Sequence, residues 1–144
     1  IASSIEPTRL QIPKAGINAQ IIEAYIEGTS WDVSQLGRNV GHLQGTAWFG
    51  QGNNVVLSGH VEMSDGRGGV FANLDELTVD DSIRVIHNGE EKDYIIIEVR
   101  STTPDDLSPI FPTDRERLTL ITCGEYNFIR DLYLERTIIV AEPI

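Results

Sequence analysis

Apolar residues along this chain come in short runs cut by Gly, Pro, Asn and Asp, with little at helical spacing. That pattern reads as many short strands and turns. The first strand is expected over Arg9 to Ile12, before the turn Pro13-Lys14-Ala15-Gly16, and the second over Ile17 to Tyr25. Asn54 to His60 and Arg117 to Cys123 are apolar runs that each end on a chemically capable side chain. Ser82 to His87 and Asp93 to Arg100 flank Asn88-Gly89, a strong hairpin signal because both central positions of a type I′ turn need positive φ. A last strand is expected over Leu132 to Ala141. Helix is expected only as a single turn over Trp31 to Leu36, capped by Ser30 or Asp32, and a short piece over Val70 to Leu77. The Gly-rich stretch Arg38 to Gly52 reads as a loop over a groove, and Ser64 to Gly69 as another loop. Ser101 to Glu116 carries Pro104, Pro109 and Pro112 and reads as a long loop of a kind that is usually functional. About eight strands with minor helix argue for an antiparallel barrel or sandwich.

Composition narrows the class of partner. The 144 residues fit one domain over 1–144 with a sizeable core. With 40% hydrophobic and 23% charged residues the chain is ordinary for a folded protein. Its net charge of −11, from 22 acidic and 11 basic residues, argues against nucleic acid, whose phosphates need a basic face. No apolar run approaches the roughly 18 residues of a membrane span. The chain opens at Ile1 without an initiator Met or a signal-like segment, so a processed or truncated product is expected and an upstream anchor would not be seen. One cysteine excludes an internal disulfide and a thiolate zinc cluster.

That cysteine lies in Leu118-Thr119-Leu120-Ile121-Thr122-Cys123-Gly124, at the end of the run and just before a glycine. A lone Cys in such a run is most often an inert core residue. At a strand mouth, however, a thiol can be half exposed and reactive. Nucleophilic chemistry there would need a cation to favour the thiolate, a proton donor for a departing amine and a positive group facing an oxyanion. His60 is a candidate for the proton work, with His42 and His87 as competitors and His87, beside the turn, the weakest. An arginine on the last strand could act electrostatically, since guanidinium keeps its proton. Arg136 and Arg130 both stand next to acidic residues, so each could equally be half of a surface ion pair. Spacing alone does not decide the set.

Leu57-Ser58-Gly59-His60, Thr119-Leu120-Ile121-Thr122-Cys123 and the run from Arg136 to Ala141 together resemble the sortase transpeptidases. That family combines a strand ending in Gly-His, a later Thr-Leu-x-Thr-Cys and a following strand bearing Arg. The separation from Cys123 to Arg136 is similar to that in sortases of the housekeeping type, and Arg9 to Pro13 and Gly69 to Leu74 also resemble sortase segments in the right order. The resemblance implies an all-β, closed, mostly antiparallel eight-stranded barrel with one or two short helices. It implies that Cys123, His60 and Arg136 form the catalytic set. The expected reaction is cleavage of a Leu-Pro-x-Thr-Gly-like sorting signal between Thr and Gly, through a thioester, with transfer to an amine of a cell wall precursor or a pilin lysine. Strand alternation puts Thr119, Ile121 and Cys123 on one face and Val56, Ser58 and His60 on one face. If the strands are neighbours, Val56, Ser58, Thr119, Ile121 and Thr122 would line the peptide groove, with ordinary core as the alternative for Val56 and Ile121. Some sortases bind calcium, but residues 37–54 contain no Asp or Glu, so no metal or other cofactor is expected. The implied setting is the cell surface, with membrane anchoring through a segment not in this chain. A hydrolytic cysteine peptidase and a catalytically silent peptide-binding barrel are the alternatives.

Overall fold

The computed structural model describes residues 7–63, 65–123 and 135–144. Turn chemistry starts the sheet. After β1 (Arg9–Ile12) a 3-10 turn over Pro13–Ala15 ends at Gly16, whose φ of 68° lets its N–H return to the Pro13 carbonyl. This aligns Ile12 with Ile17 and starts β2 (Ile17–Ala24), where Ile17, Ala19 and Ile21 point inward and Asn18 and Gln20 outward. A small hairpin of β3 (Ile26–Glu27) and β4 (Ser30–Trp31) stands apart. The barrel continues through β5 (Val40–Leu43), β6 (Asn54–His60), β7 (Ser82–His87), β8 (Glu90–Thr102), β9 (Arg117–Cys123) and β10 (Arg136–Pro143).

The strands close in the order β1-β2-β5-β6-β9-β10-β8-β7, with β7 pairing back onto β1. The expected closed eight-stranded barrel is therefore present. The β2–β5 and β6–β9 pairs are parallel and the other pairs antiparallel. A parallel pair cannot be joined by a tight turn. The excursion from residue 61 to 116, which carries β7 and β8, is the crossover that lets β9 lie beside β6. Asn88 and Gly89 both have positive φ, 53° and 76°, and join His87 to Glu90 as the hairpin signal predicts.

Several segments depart from expectation. The stretch read as a loop over 38–52 contains β5, a four-residue strand buried on both faces, which therefore lacks alternation. Over 31–36 there is no helical turn: Trp31 belongs to β4, and the Asp32 carboxylate accepts the N–H and hydroxyl of Ser34 to form a tight turn. The Val70–Leu77 helix reduces to a 3-10 turn over Leu74–Glu76. The strand expected over Asp93–Arg100 extends to Glu90 and Thr102, because β7 pairs with it from the hairpin and β10 as far as Thr102. The last strand is described from Arg136, and its expected beginning at Leu132, with Arg130, lies outside the described residues.

Two apolar clusters hold the barrel. One fills the interior with residues such as Leu10, Ile17, Val55, Leu57, Tyr94, Leu118 and Leu120. The other lies on the outer face of β6 and β9, where Leu36, Leu43, Ile138 and Val140 cover Val56 and Ile121. Burial on both sides explains why β6 and β9 read as nearly continuous apolar runs.

Glu116, just before β9, ties three segments: it accepts the Tyr94 hydroxyl at 2.6 Å and the Gly50 N–H at 3.1 Å, and it pairs with Lys92. Burial acts to raise its carboxyl, but Lys92, Tyr94 and Gly50 outweigh that and hold it below the usual range. Burial, reinforced by Glu116, pushes the Tyr94 phenol well up. Glu116→Ala leaves the Tyr94 hydroxyl unsatisfied and is expected to cost about 1–3 kcal/mol in urea unfolding. Because the folded carboxyl lies below its ordinary value of 4.5, its contribution is present above that pH and is lost as pH falls through the lowered value. Glu116→Gln should accordingly flatten the acid limb of a stability–pH curve.

Candidate active site

The parallel ladder between β6 and β9 pairs Val56 with Thr119, Ser58 with Ile121 and His60 with Cys123. Paired residues of neighbouring strands point to the same face, so the two strand ends deliver an imidazole and a thiol side by side. Cys123 Sγ lies 3.5 Å from His60 Nδ1, with Cys123 4% and His60 1% exposed. The other ring nitrogen, Nε2, is 2.9 Å from the backbone carbonyl of Val33. β9 also pairs with antiparallel β10 up to Ile121 and Ile138, and two residues further along both strands stand Cys123 and Arg136. Arg136 Nη1 donates to the Thr122 carbonyl at 3.4 Å, and the Thr122 hydroxyl accepts the Thr137 N–H at 2.9 Å. Three groups far apart in the chain thus converge at one end of the barrel.

The chain beyond β6 secures that end. Val61 N–H bonds the Cys123 carbonyl, Gly69 N–H bonds the Val61 carbonyl and Phe71 N–H bonds the His60 carbonyl. A Cβ on Gly69 would lie 2.2 Å from the His60 carbonyl oxygen, so only glycine lets this segment close over the strand end. Gly59 meets a similar limit from inside, against Val70 and Phe71.

All five residues expected to line a groove are buried, none more than 8% exposed. Val56 and Thr119 are wholly buried. The Thr119 hydroxyl donates to Asn54 Oδ1 at 2.7 Å, and Asn54 Nδ2 donates to the carbonyls of Pro109 and Phe111. Thr119 therefore pins the long loop before β9 through Asn54, a residue sequence reasoning passed over. Its signal was there: a polar residue on the same face as Ser58 and His60. Ile121 belongs to the outer apolar cluster, Ser58 lies beside Gly41 of β5, and Thr122 ties β9 to β10.

The long loop is braced at its start. Asp106 accepts the Thr102 hydroxyl at 2.5 Å and the Ser108 N–H at 2.9 Å, and these bonds, the Thr102 one first, hold its carboxyl far below the usual range. Leu107 and Phe111 are left exposed on this loop while Ile110 packs inward. A cavity of about 310 Å³ opens between Ile110, Pro112, Asn54 and the loop after β5. The competing histidines are engaged elsewhere. His42 contacts Glu23 Oε1 at 2.6 Å and the Ala47 carbonyl at 2.7 Å, and His87 contacts the Thr8 hydroxyl at 3.0 Å. Among the described residues no group of His, Cys, Asp or Glu is placed to hold a metal ion.

A family model described as Sortase domain matches residues 10–144. The chain belongs to the sortase family. Sortase D of Bacillus subtilis (strain 168) is 32% identical over 121 residues, covering 83% of this chain and 55% of that protein, so the chain spans little more than half of that relative's length. A solved sortase D5 transpeptidase of Clostridium perfringens superimposes with a TM-score of 0.73 at 26% identity, over 96% of this chain and 78% of its own. Sortase C-1 of Actinomyces oris gives 0.77 at 26%, over 97% and 76%. Within this sortase, Gly69→Ala is expected to displace the end of β6 and to lower stability by about 1–3 kcal/mol. Thermal unfolding, with the His60 ring signals as a local probe, would check it; unchanged values would show that the 68–71 segment can shift aside.

Proposed function

We propose that this chain is a cysteine transpeptidase domain over 1–144 that acts on a sorting signal resembling Leu-Pro-x-Thr-Gly. The observation that carries the reading is the 3.5 Å approach of Cys123 Sγ to His60 Nδ1 at the end of paired strands, with Arg136 on the adjoining strand, in a sortase-family barrel. An adjacent imidazolium favours the thiolate over the thiol. The thiolate attacks the Thr carbonyl carbon, and the Thr–Gly C–N bond breaks as the imidazolium gives its proton to the departing Gly amine. An incoming amine then attacks the thioester, its proton passes to the imidazole, and the thiolate leaves. Arg136 acts by charge on the developing oxyanion, since its guanidinium stays protonated.

By register, Ser58 precedes His60 and Ile121 and Thr122 precede Cys123, so these three would line the groove beside the sulfur, with Val56 and Thr119 further along it. The exposed Leu107 and Phe111 on the neighbouring loop suit an apolar residue of the signal. The acceptor would be an amine of a cell wall precursor or a pilin lysine. The site of action would be the cell surface, with attachment to the membrane through a segment outside this sequence. No helix of the described residues is long and apolar enough to cross a membrane.

The test is incubation with a panel of sorting peptides and a small amine, followed by mass spectrometry. Ligated product supports transpeptidation, hydrolysed peptide alone would make the domain a peptidase, and binding without an acyl-enzyme would make it a silent peptide receptor. Cys123→Ala should abolish the acyl-enzyme adduct; an adduct surviving in that variant defeats the proposal. Arg136→Ala should lower kcat by about 10²–10³ whereas Arg130→Ala should leave it near wild type, and the opposite ranking would reassign the oxyanion role.

A further inference from the structure

The reaction proposed above needs His60 to hold and move a proton, but an imidazole has two nitrogens and they are not equivalent here. Nε2 lies 2.9 Å from the Val33 carbonyl oxygen, an atom that can only accept, so a hydrogen bond there requires the proton on Nε2. Nδ1 is the nitrogen that faces Cys123 Sγ. Resting on the transpeptidase reading, we propose that the Val33 carbonyl is a built positioning device. It keeps His60 protonated on Nε2 in both charge states, so that Nδ1 alone exchanges protons with the sulfur and with the departing and incoming amines.

The carbonyl is held there by more than its contact with the ring. It also accepts the Leu36 N–H at 3.3 Å, which closes the turn. Asp32 Oδ1 accepts the Ser34 N–H at 2.9 Å and its hydroxyl at 2.5 Å, which sets the turn's entry. The Asp32 N–H bonds the Tyr25 carbonyl and Trp31 Nε1 bonds the Gln44 carbonyl, each at 2.8 Å, so the segment is tied to the chain leading from β2 and β5. The anchor is Leu36, 1% exposed, seated over Gly41 of β5. A Cβ on Gly41 would lie 2.8 and 2.9 Å from the two Leu36 methyls and 3.2 Å from Ala24 Cβ. The missing side chain at position 41 is thus the notch that lets Leu36 sit down and bring Val33 to the ring.

The Val33 carbonyl fixes the tautomer whether or not the ring reacts, so the deciding observables are the tautomer and its coupling to turnover, read together. In the full chain labelled with ¹⁵N at histidine, the neutral His60 ring should carry its proton on Nε2, and titration should move the Nδ1 resonance from its unprotonated to its protonated position. A neutral ring protonated on Nδ1 overturns the proposal. Gly41→Ala should push Leu36 out, mix the tautomers and lower kcat by about tenfold or more, with KM less affected. Adding Leu36→Val, which shortens the side chain that clashes, should restore both tautomer and kcat; restoration of neither would show that the notch does not act through Val33. Asp32→Ala, at a part-exposed position, tests the same lock should Gly41→Ala fail to fold, and an unchanged tautomer there counts against it. Because the resonance needs no turnover, ligation by a protein with the Nδ1–H ring sinks this inference alone. An Nε2–H ring in a protein that never cleaves peptide sinks the enzymatic reading alone.

Discussion

The pairing of β6 with β9 is the constraint on which the rest depends. Had these strands been antiparallel, His60 and Cys123 would lie at opposite ends of the ladder; because they run in parallel, both C-terminal ends meet. Parallel pairing demands a long connection, and the chain supplies it with the β7–β8 hairpin and the braced loop that follows. The barrel then closes through β10 against β8, which places Arg136 one strand from the sulfur. The register is held by burial on both faces. A slip of one residue would send Val56 and Ile121 inward and expose Leu57 and Leu120 to the groove side.

Burial of reactive groups needs a compensating network, and the site shows how it is met. Both nitrogens of His60 have partners, the strand-end carbonyls of His60 and Cys123 accept N–H groups from the returning chain, and Thr122 uses its hydroxyl and its carbonyl to tie β10. The bonds to His60 Nε2 and to the two strand-end carbonyls come from chain that looks irregular in the sequence, at Val33, Val61 and Phe71. Regular strands set the direction of the three side chains, and irregular chain sets their orientation.

How much of this could be read beforehand follows the same division. β6 and β9 were legible because two-sided burial makes an apolar run, and the Asn88-Gly89 hairpin because its backbone demands those residues. The convergence of Cys123, His60 and Arg136 was reached through resemblance, since spacing alone left His42, His87 and Arg130 in contention. β5 was missed because Gly41 and His42 interrupt a very short strand whose pairing partners are distant in sequence. The helical turn at 31–36 was misread because a capping-type aspartate can also nucleate a tight turn, and what decided was the tertiary seat of Leu36 over Gly41. All five residues expected along a groove are buried, because side chains from neighbouring elements, such as Leu36, Leu43, Ile138 and Val140 over Val56 and Ile121, cover β6 and β9 in a way the sequence does not show.

The grip of Asn54 on the long loop has a further implication. Its amide holds main-chain oxygens, those of positions 109 and 111, and so is indifferent to which side chains those positions carry. The path of the loop is thereby inherited from the barrel, while the outward groups at 107 and 111 are free to diversify. The course of the loop is thus set apart from the identity of its outward side chains, and the second can change without disturbing the first.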